Sequence, residues 1–224
     1  MKGLKTMEPD YQRSAMLAAE TLIKYNMTAA PVSPIPIIKS LPNVLLLPFA
    51  EMALQIGADR DRVINSFGES MDAVTSVHFA ASGLRYVVAY NQRLPAYIVQ
   101  RALARELGHI LLQHDGSRPD DVRYEEAITF ARHLICPRPL IRAMLDSGIR
   151  LTVETLGNIT GCYERCLAGL RKTPGVKIPP EMNRQIRAQF ADYIADFVRF
   201  QPILSREDET PIADFGTYMD EYTE

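Results

Sequence analysis

One segment constrains the fold of this chain more than any other: residues 101–112, which read R-A-L-A-R-E-L-G-H-I-L-L. At about 100° per residue of helix, the side chains of Arg105, Glu106 and His109 fall within an arc of about 100°. The leucine and isoleucine side chains gather beside that arc. This pattern predicts a helix that lies against a core while its polar stripe faces a cleft.

The same segment contains a near match to a metal-binding motif. Residues 105–109 read R-E-L-G-H and differ at one position from H-E-x-x-H, in which two histidines one turn apart hold zinc and the glutamate is the general base. Arg105 stands where that pattern has its first histidine. His114 should point away from His109 if the helix stays straight, and Gly116 suits the left-handed residue that ends such a helix.

The composition limits the classes of protein to which this chain can belong. A chain of 224 residues with 47% hydrophobic residues fits one domain, or one domain with an appendage. The net charge of −2 gives no overall electrostatic reason to bind nucleic acid or a membrane. The absence of a secretory signal and of a membrane-spanning apolar run predicts a cytoplasmic protein. Cys136, Cys162 and Cys166 predict no disulfide framework, and we expect the last two to pack, because two thiols alone do not make a zinc site.

The order of the predicted elements indicates an α+β fold. Residues 9–25 predict a helix and residues 44–47 a buried strand, with a connector or a short helix between them. Residues 59–73 are polar and predict a surface loop with some helix. Residues 74–80 and 85–90 then predict a β-hairpin that leads into the central helix from about Ala96.

A second helix is predicted over residues 124–135. Glu126 and His133 flank its apolar face, whereas Glu125 points nearly opposite to that face. If this helix supplies a metal ligand, Glu126 is the geometric choice. His133 follows two turns later, about 10 Å along the helix axis.

Three motifs in this order resemble the ImmA/IrrE family of zinc metallo-endopeptidases. They are Y-V-V-A-Y-N at residues 86–91, the run from Leu103 to His114 where the family has A-H-E-L-G-H, and E-A-I-T-F-A at 126–131 followed by L-I-C-P at 134–137. The resemblance extends over roughly residues 10–172. It implies a zincin-like metallopeptidase domain in which a small sheet packs on helices.

The resemblance also implies roles for single residues. Glu106 matches the general base, His109 the second zinc-binding histidine and Glu126 the acidic ligand on the following helix. Family members are often encoded by mobile elements or act in stress responses, and are similar in cutting a helix-turn-helix repressor. A zinc cofactor and a protein or peptide partner are therefore expected if the site works.

Arg105 is the departure from the family pattern. A guanidinium stays protonated and has no lone pair for a metal, so the remaining pattern holds two ligands, His109 and Glu126. His133 and His78 are the candidate replacement ligands, although packing is the simpler role for each. We expect Arg105 to form an ion pair with Glu126 or Glu106 instead.

The sequence predicts four regions. They are a metallopeptidase-like domain over residues 1–145, a helical extension over 146–172, a linker with an amphipathic helix over 173–204, and an acidic tail over 205–224. The last helix is expected at about 181–200, with its apolar face against the body or a partner.

Three functions remain open at this level. The first is a degenerate relative, with an impaired or absent zinc site, that binds a peptide or repressor without cutting it. The second is an active zinc endopeptidase. The third is DNA binding through a helix-turn-helix-like pair over residues 151–172, where Arg165, Arg171 and Lys172 would meet phosphates.

Overall fold

The computed structural model describes residues 7–55, 57, 59, 61, 71–80, 83–149, 151–161 and 176–204. Its strands are β1 (Val44–Pro48), β2 (Ala73–Ala80) and β3 (Gly83–Tyr90). Its helices are α1 (Tyr11–Lys24), α2 (Pro34–Ser40), α3 (Phe49–Gln55), α4 (Ala96–Leu111), α5 (Asp120–Ile135), α6 (Arg138–Asp146), α7 (Val153–Thr160), α8 (Pro180–Gln189) and α9 (Ala191–Leu204). These elements confirm the predicted α+β class.

The sheet has the strand order β1-β3-β2. β1 runs parallel to β3, with Val44 opposite Tyr86. β2 runs antiparallel to β3, with Ala80 opposite Gly83, which confirms the predicted hairpin. Among the described residues, the outer edge of β2 has no strand partner. Thr75 and Val77 of β2 line the site described below.

Helix α4 begins at Ala96, as the sequence predicts, and lies between the sheet and α5. Leu103 and Leu107 are fully buried in the main core. Gly108 lets α4 approach α5 closely, because a Cβ atom there would lie 3.0 Å from a ring carbon of Phe130 and 3.1 Å from the carbonyl oxygen of Ala127. The close approach brings the polar stripe of α4 next to the first half of α5.

The end of α4 differs from the prediction. Gln113, and not Gly116, is the residue after the helix that takes a left-handed conformation, with φ of 57°. The N–H of Gln113 donates to Ile110 and the N–H of His114 donates to the carbonyl of His109. This pair of bonds is a Schellman motif, and it turns the chain back over the last turn of the helix.

Helix α5 begins at Asp120, four residues earlier than the sequence pattern predicts. Pro119 precedes its first turn, and the carboxylates of Asp120 and Asp121 lie at the positive end of the helix dipole. The helix ends at Ile135 as predicted. Cys136, the next residue, is buried, in accordance with a packing role.

The predicted helix at 181–200 is two helices, α8 and α9, which meet at Phe190. Ile186 and Phe190 are fully buried in the same core cluster as α4 and α5, and α8 contacts α1 and α6. Residues 162–175 and 205–224 lie outside the described residues, and with them the second helix of the DNA-binding hypothesis, Cys162 and Cys166, and the acidic tail. The predicted loop over 59–73 is described only at its ends. None of the helices in the described ranges is long and apolar enough to cross a membrane.

Candidate functional site

A cleft of about 520 Å³ opens between β2, α4 and the first turns of α5. Its lining includes Glu106, His109 and His114 from one side and Thr75 and Val77 of β2 from the other. This volume lies within the range of typical ligand sites, roughly 300–1,000 Å³. The polar stripe of α4 therefore faces a cleft, as the helical wheel predicts.

The side chain of Arg105 is held at the floor of the cleft by a group that we call the arginine clamp: Arg105, Glu106, Asp72 and Thr75. The guanidinium donates to Glu106 Oε1 from Nε at 3.0 Å and from Nη2 at 2.8 Å. Nη2 also donates to Asp72 Oδ1 at 2.9 Å and to the carbonyl of Ala73 at 3.2 Å. The Thr75 hydroxyl donates to the other oxygen of Glu106 at 2.8 Å. Both oxygens of the Glu106 carboxylate are thus engaged.

Burial and charge act in opposite directions on the arginine clamp. Burial raises the pKa of the Glu106 carboxyl, against the opposing effect of the Arg105 charge and its hydrogen bonds. Burial also disfavours the Arg105 cation, but Glu106 and Asp72 outweigh it, so that the pKa of Arg105 is raised. Arg105 consequently stays charged at any pH at which the protein folds.

A second polar group joins α4 to α5, and we call it the histidine bridge: His109, His114 and Glu126. The Nδ1 atoms of His109 and His114 are 2.9 Å apart. The Nε2 atom of His114 lies 2.9 Å from Glu126 Oε2. The side chains of His114 and Glu126 are only 3% and 2% exposed. The imidazole of His114 therefore lies between the two residues that the sequence proposes as metal ligands.

The other oxygen of Glu126 is also occupied. Glu126 Oε1 accepts the backbone N–H of Asp10 at 2.8 Å and Nη1 of Arg118 at 2.6 Å. On the opposite end of the histidine bridge, burial lowers the pKa of His109 to about 4, with a further contribution from His114. Burial likewise lowers the pKa of His114, against the opposing effect of Glu126. Both imidazoles are therefore neutral near pH 7.

The expectation that His114 points away from His109 is wrong. It assumed a straight helix, whereas the Schellman motif ends α4 and folds His114 back, so that the two rings lie 5.0 Å apart between centroids. In such a motif the residues at the positions of His109 and His114 commonly touch. His109 and His114 are five residues apart and lie on either side of the end of α4. This spacing was the one local feature of the sequence that indicated their contact.

The other two candidate ligands lie away from the cleft. His133 is buried within α5, and burial lowers its pKa to about 3. Its Nε2 has no hydrogen-bond partner among the described residues. His78 is exposed on β2 and its Nε2 lies 3.0 Å from the hydroxyl of Ser76. Because side chains alternate along a strand, His78 and Ser76 lie on the face of β2 opposite to Thr75 and Val77. Neither approaches the histidine bridge.

Sequence reasoning missed Asp72, Thr75 and Arg118 as members of the site. Asp72 and Thr75 lie more than thirty positions before their partners on α4. Their side chains carry no motif of their own, so only the pairing of β2 with the rest of the fold brings them to Arg105 and Glu106. The expected ion pair of Arg105 with Glu106 is present, while Glu126 takes Arg118 as its arginine partner.

Comparison with known families decides what kind of domain holds this cleft. Residues 62–159 match the family model described as IrrE N-terminal-like domain. Over these residues the chain is similar to the ImmA/IrrE family. This match confirms the family indicated by the three motifs. Comparison with curated proteins gave no match, and neither did comparison with solved structures.

The donor set of this ImmA/IrrE-family domain does not fit the zinc ion that the family implies. A catalytic zinc takes three protein ligands with donor atoms about 2 Å from the metal. Arg105 offers no lone pair, and His109 and Glu126 are separated by the imidazole of His114. Within the described part of the chain, no group of three His, Cys, Asp or Glu side chains could hold a metal ion.

Proposed function

We propose that this protein is a metal-deficient member of the ImmA/IrrE family that binds a peptide segment of a partner protein in its cleft without hydrolysing it. A repressor protein is the partner class that the family resemblance favours, in the regulation of a mobile element or a stress response. The observation that carries the proposal is the arginine clamp, which places a permanent cation at the position of a metal ligand and neutralises the residue that would be the general base.

The electrostatics of the arginine clamp oppose metal binding. The guanidinium repels a divalent cation at short range, and its ion pairs with Glu106 and Asp72 leave less of their negative charge to attract a metal. The Glu106 carboxylate has its oxygens engaged by Arg105 and Thr75. The charge of Arg105 and these hydrogen bonds lower the proton affinity of Glu106, which weakens it as a general base for water.

The histidine bridge supplies the structural role that a metal has in an active relative. A metal held by ligands from α4 and α5 would cross-link the two helices. Here the imidazole of His114 makes the cross-link through hydrogen bonds to His109 and Glu126. The site can therefore stay folded and ordered without a metal.

The cleft retains features suited to an extended peptide. Thr75 and Val77 of β2 line the cleft, and among the described residues the outer edge of β2 has no strand partner. A peptide can bind such an edge by adding a strand to the sheet. Val77 and Tyr124 line the cleft and are 46% and 48% exposed, so they offer apolar surface to side chains of the peptide. Main-chain hydrogen bonds would supply affinity and these side chains selectivity.

The first experiment measures zinc by elemental analysis in the wild type, Arg105→His and Arg105→His/Glu106→Gln. We expect far less than one zinc per chain in the wild type and about one in both variants, since Arg105→His restores the third ligand and Glu106 is not one. One zinc per wild-type chain would overturn the proposal and support an active endopeptidase. No zinc in folded Arg105→His would show that position 105 is not what prevents metal binding.

Peptide binding is tested with a fluorescent peptide selected against the wild type from a random heptapeptide library. Val77→Asp should weaken its binding by about tenfold or more, because the charge meets the apolar part of the peptide. Ser76→Asp places the same charge on the opposite face of β2 and should leave the affinity unchanged. Mass spectrometry should find the peptide intact after incubation. Failure to select any peptide, or equal affinity for both variants, would contradict the proposed role of the cleft.

A further inference from the structure

A second pocket, of about 260 Å³, lies between α4 and α5 next to the cleft and shares Asp72, Arg105 and Tyr124 with it. Two further arginines line this pocket, Arg101 from α4 and Arg132 from α5. We call it the arginine pocket. The remaining wall is aliphatic and consists of Ile128, Ala131 and Ile135.

Among the described residues that line the arginine pocket, three are arginines and one is an acidic residue. Asp72 is the one carboxylate in its described lining, and it already accepts a hydrogen bond from Arg105. Arg101 and Arg132 are both half-buried, and among the described residues neither side chain has a hydrogen-bond or ion-pair partner. In the same described part of the chain, Nη1 of Arg105 also donates to no group. Three guanidinium groups thus surround the pocket with donors to spare.

Helix stability does not account for this arrangement. Arg101 and Arg105 are four residues apart on α4, and like charges at this spacing disfavour the helix. Facing them, Tyr124, Ile128 and Arg132 are spaced four residues apart and form one face of α5. A purely structural arrangement would place about as many acidic residues as arginines here, whereas the described lining holds only Asp72. A bound anion would supply the missing negative charge.

We propose that the arginine pocket binds a small organic carboxylate with an apolar body. The planar fork of a guanidinium matches the two oxygens of a carboxylate, and desolvation strengthens such charge-assisted hydrogen bonds. The aliphatic side chains of Ile128 and Ile135 would pack against the hydrocarbon part. The pocket is smaller than the roughly 300–1,000 Å³ of sites for drug-sized molecules, so the ligand is small. This proposal does not depend on the function proposed for the cleft.

The test is isothermal titration calorimetry of the full chain at low ionic strength with hexanoate, hexanamide and inorganic phosphate as separate probes. We expect hexanoate to bind more tightly than the other two, since it combines a carboxylate with a hydrocarbon chain. Arg101→Gln/Arg132→Gln should weaken hexanoate binding by about tenfold or more. Arg184→Gln removes an exposed arginine on α8 and should bind hexanoate as the wild type does.

Two further readouts separate a lost ligand site from a lost fold. The double variant should keep the wild-type Tm or exceed it, because it removes unbalanced like charges. In ¹H–¹⁵N NMR spectra, hexanoate should shift the amide signals of Ile128 and Ile135. The proposal is overturned if hexanoate does not bind, if hexanamide or phosphate binds equally well, or if the double variant retains full affinity.

Discussion

At the scale of single residues, Arg105 decides the chemistry of the cleft. The sequence predicts that it pairs with Glu126 or Glu106, and the structure confirms the Glu106 pair. Asp72 is the partner that the sequence did not indicate. The two carboxylates are 7% and 17% exposed, so their desolvation is compensated only while the guanidinium is present.

Replacing Arg105 with Gln should therefore lower the free energy of unfolding by about 3 kcal/mol, because it leaves Glu106 as an unpaired buried charge. Adding Glu106→Gln should recover most of this loss. Urea denaturation at pH 7 measures both. Arg93→Gln is the matched control, since Arg93 pairs with Asp61 at the surface, where such pairs contribute less than about 1 kcal/mol. Equal losses for Arg105→Gln and Arg93→Gln would refute the account.

A second residue-scale effect concerns His133, whose pKa is lowered to about 3 by burial. Because its folded pKa lies below the unfolded value of about 6.5, the unfolded state binds more protons as the pH falls between these values. The stability that His133 contributes is fully present above about pH 6.5 and is lost as the pH falls towards the folded pKa. His109, with a pKa of about 4, acts in the same direction.

We expect His133→Gln to remove the contribution of His133 to this pH dependence, roughly 2–3 kcal/mol between pH 7 and 4.5 at about 1.4 kcal/mol per pH unit. The measurement is urea denaturation of wild type and variant at several pH values. His78→Gln removes an exposed histidine and should keep the wild-type profile. An unchanged pH profile in His133→Gln would contradict the role assigned to this buried imidazole.

At the scale of elements, the contact between α4 and α5 positions every member of the histidine bridge. Gly108 lies at the crossing, where a Cβ atom would be only 3.0–3.1 Å from Phe130 and the backbone of Ala127, so that a neighbour would have to shift by a few tenths of an ångström. The Schellman motif at the end of α4 then turns His114 towards Glu126. The separation of the two helices therefore sets the distance that the imidazole of His114 spans.

Gly108→Ala should destabilise the protein by about 1–2 kcal/mol, since overpacking against α5 outweighs the gain in helix propensity, which is at most about 1 kcal/mol. It should also perturb the NMR signals of the His109 and His114 rings, because Phe130 or the backbone of α5 must shift to make room for the methyl group. Gly116→Ala is the control, because a Cβ atom at position 116 would have no neighbour within 4 Å among the described residues. That variant should stay within about 0.5 kcal/mol of the wild type. A stabilised Gly108→Ala would show that the helices are free to move apart.

At the scale of the whole molecule, one core connects the site to the C-terminal helices. Ile186, Phe190 and Ile194 lie in the same buried cluster as Leu103 and Leu107 of α4. The apolar periodicity of residues 181–200 predicted a docked face, and the structure confirms docking on the body. α1 joins this body to the site, because the N–H of Asp10, at its start, donates to Glu126.

The sequence by itself determined the local structure and the family. Periodicity predicts α1, α4, α5 and the β2–β3 hairpin, because apolar spacing reflects which face of a helix or strand is buried. The order of the three motifs indicates the ImmA/IrrE family, and the family match confirms it. The spacing of Arg105, Glu106 and His109 on one helix likewise fixes their common face. These properties depend on neighbours a few positions away.

Only the tertiary structure decided how the site is assembled. Asp72 reaches Arg105 through the placement of β2, and Glu126 reaches His114 through the crossing of α4 and α5. The arginine pocket exists because Arg101 and Arg132 face each other across that crossing. Gln113 adopts a left-handed conformation that a glutamine does not signal in a sequence. Contacts between distant segments depend on the packing of the whole core, and no local pattern of residues encodes them.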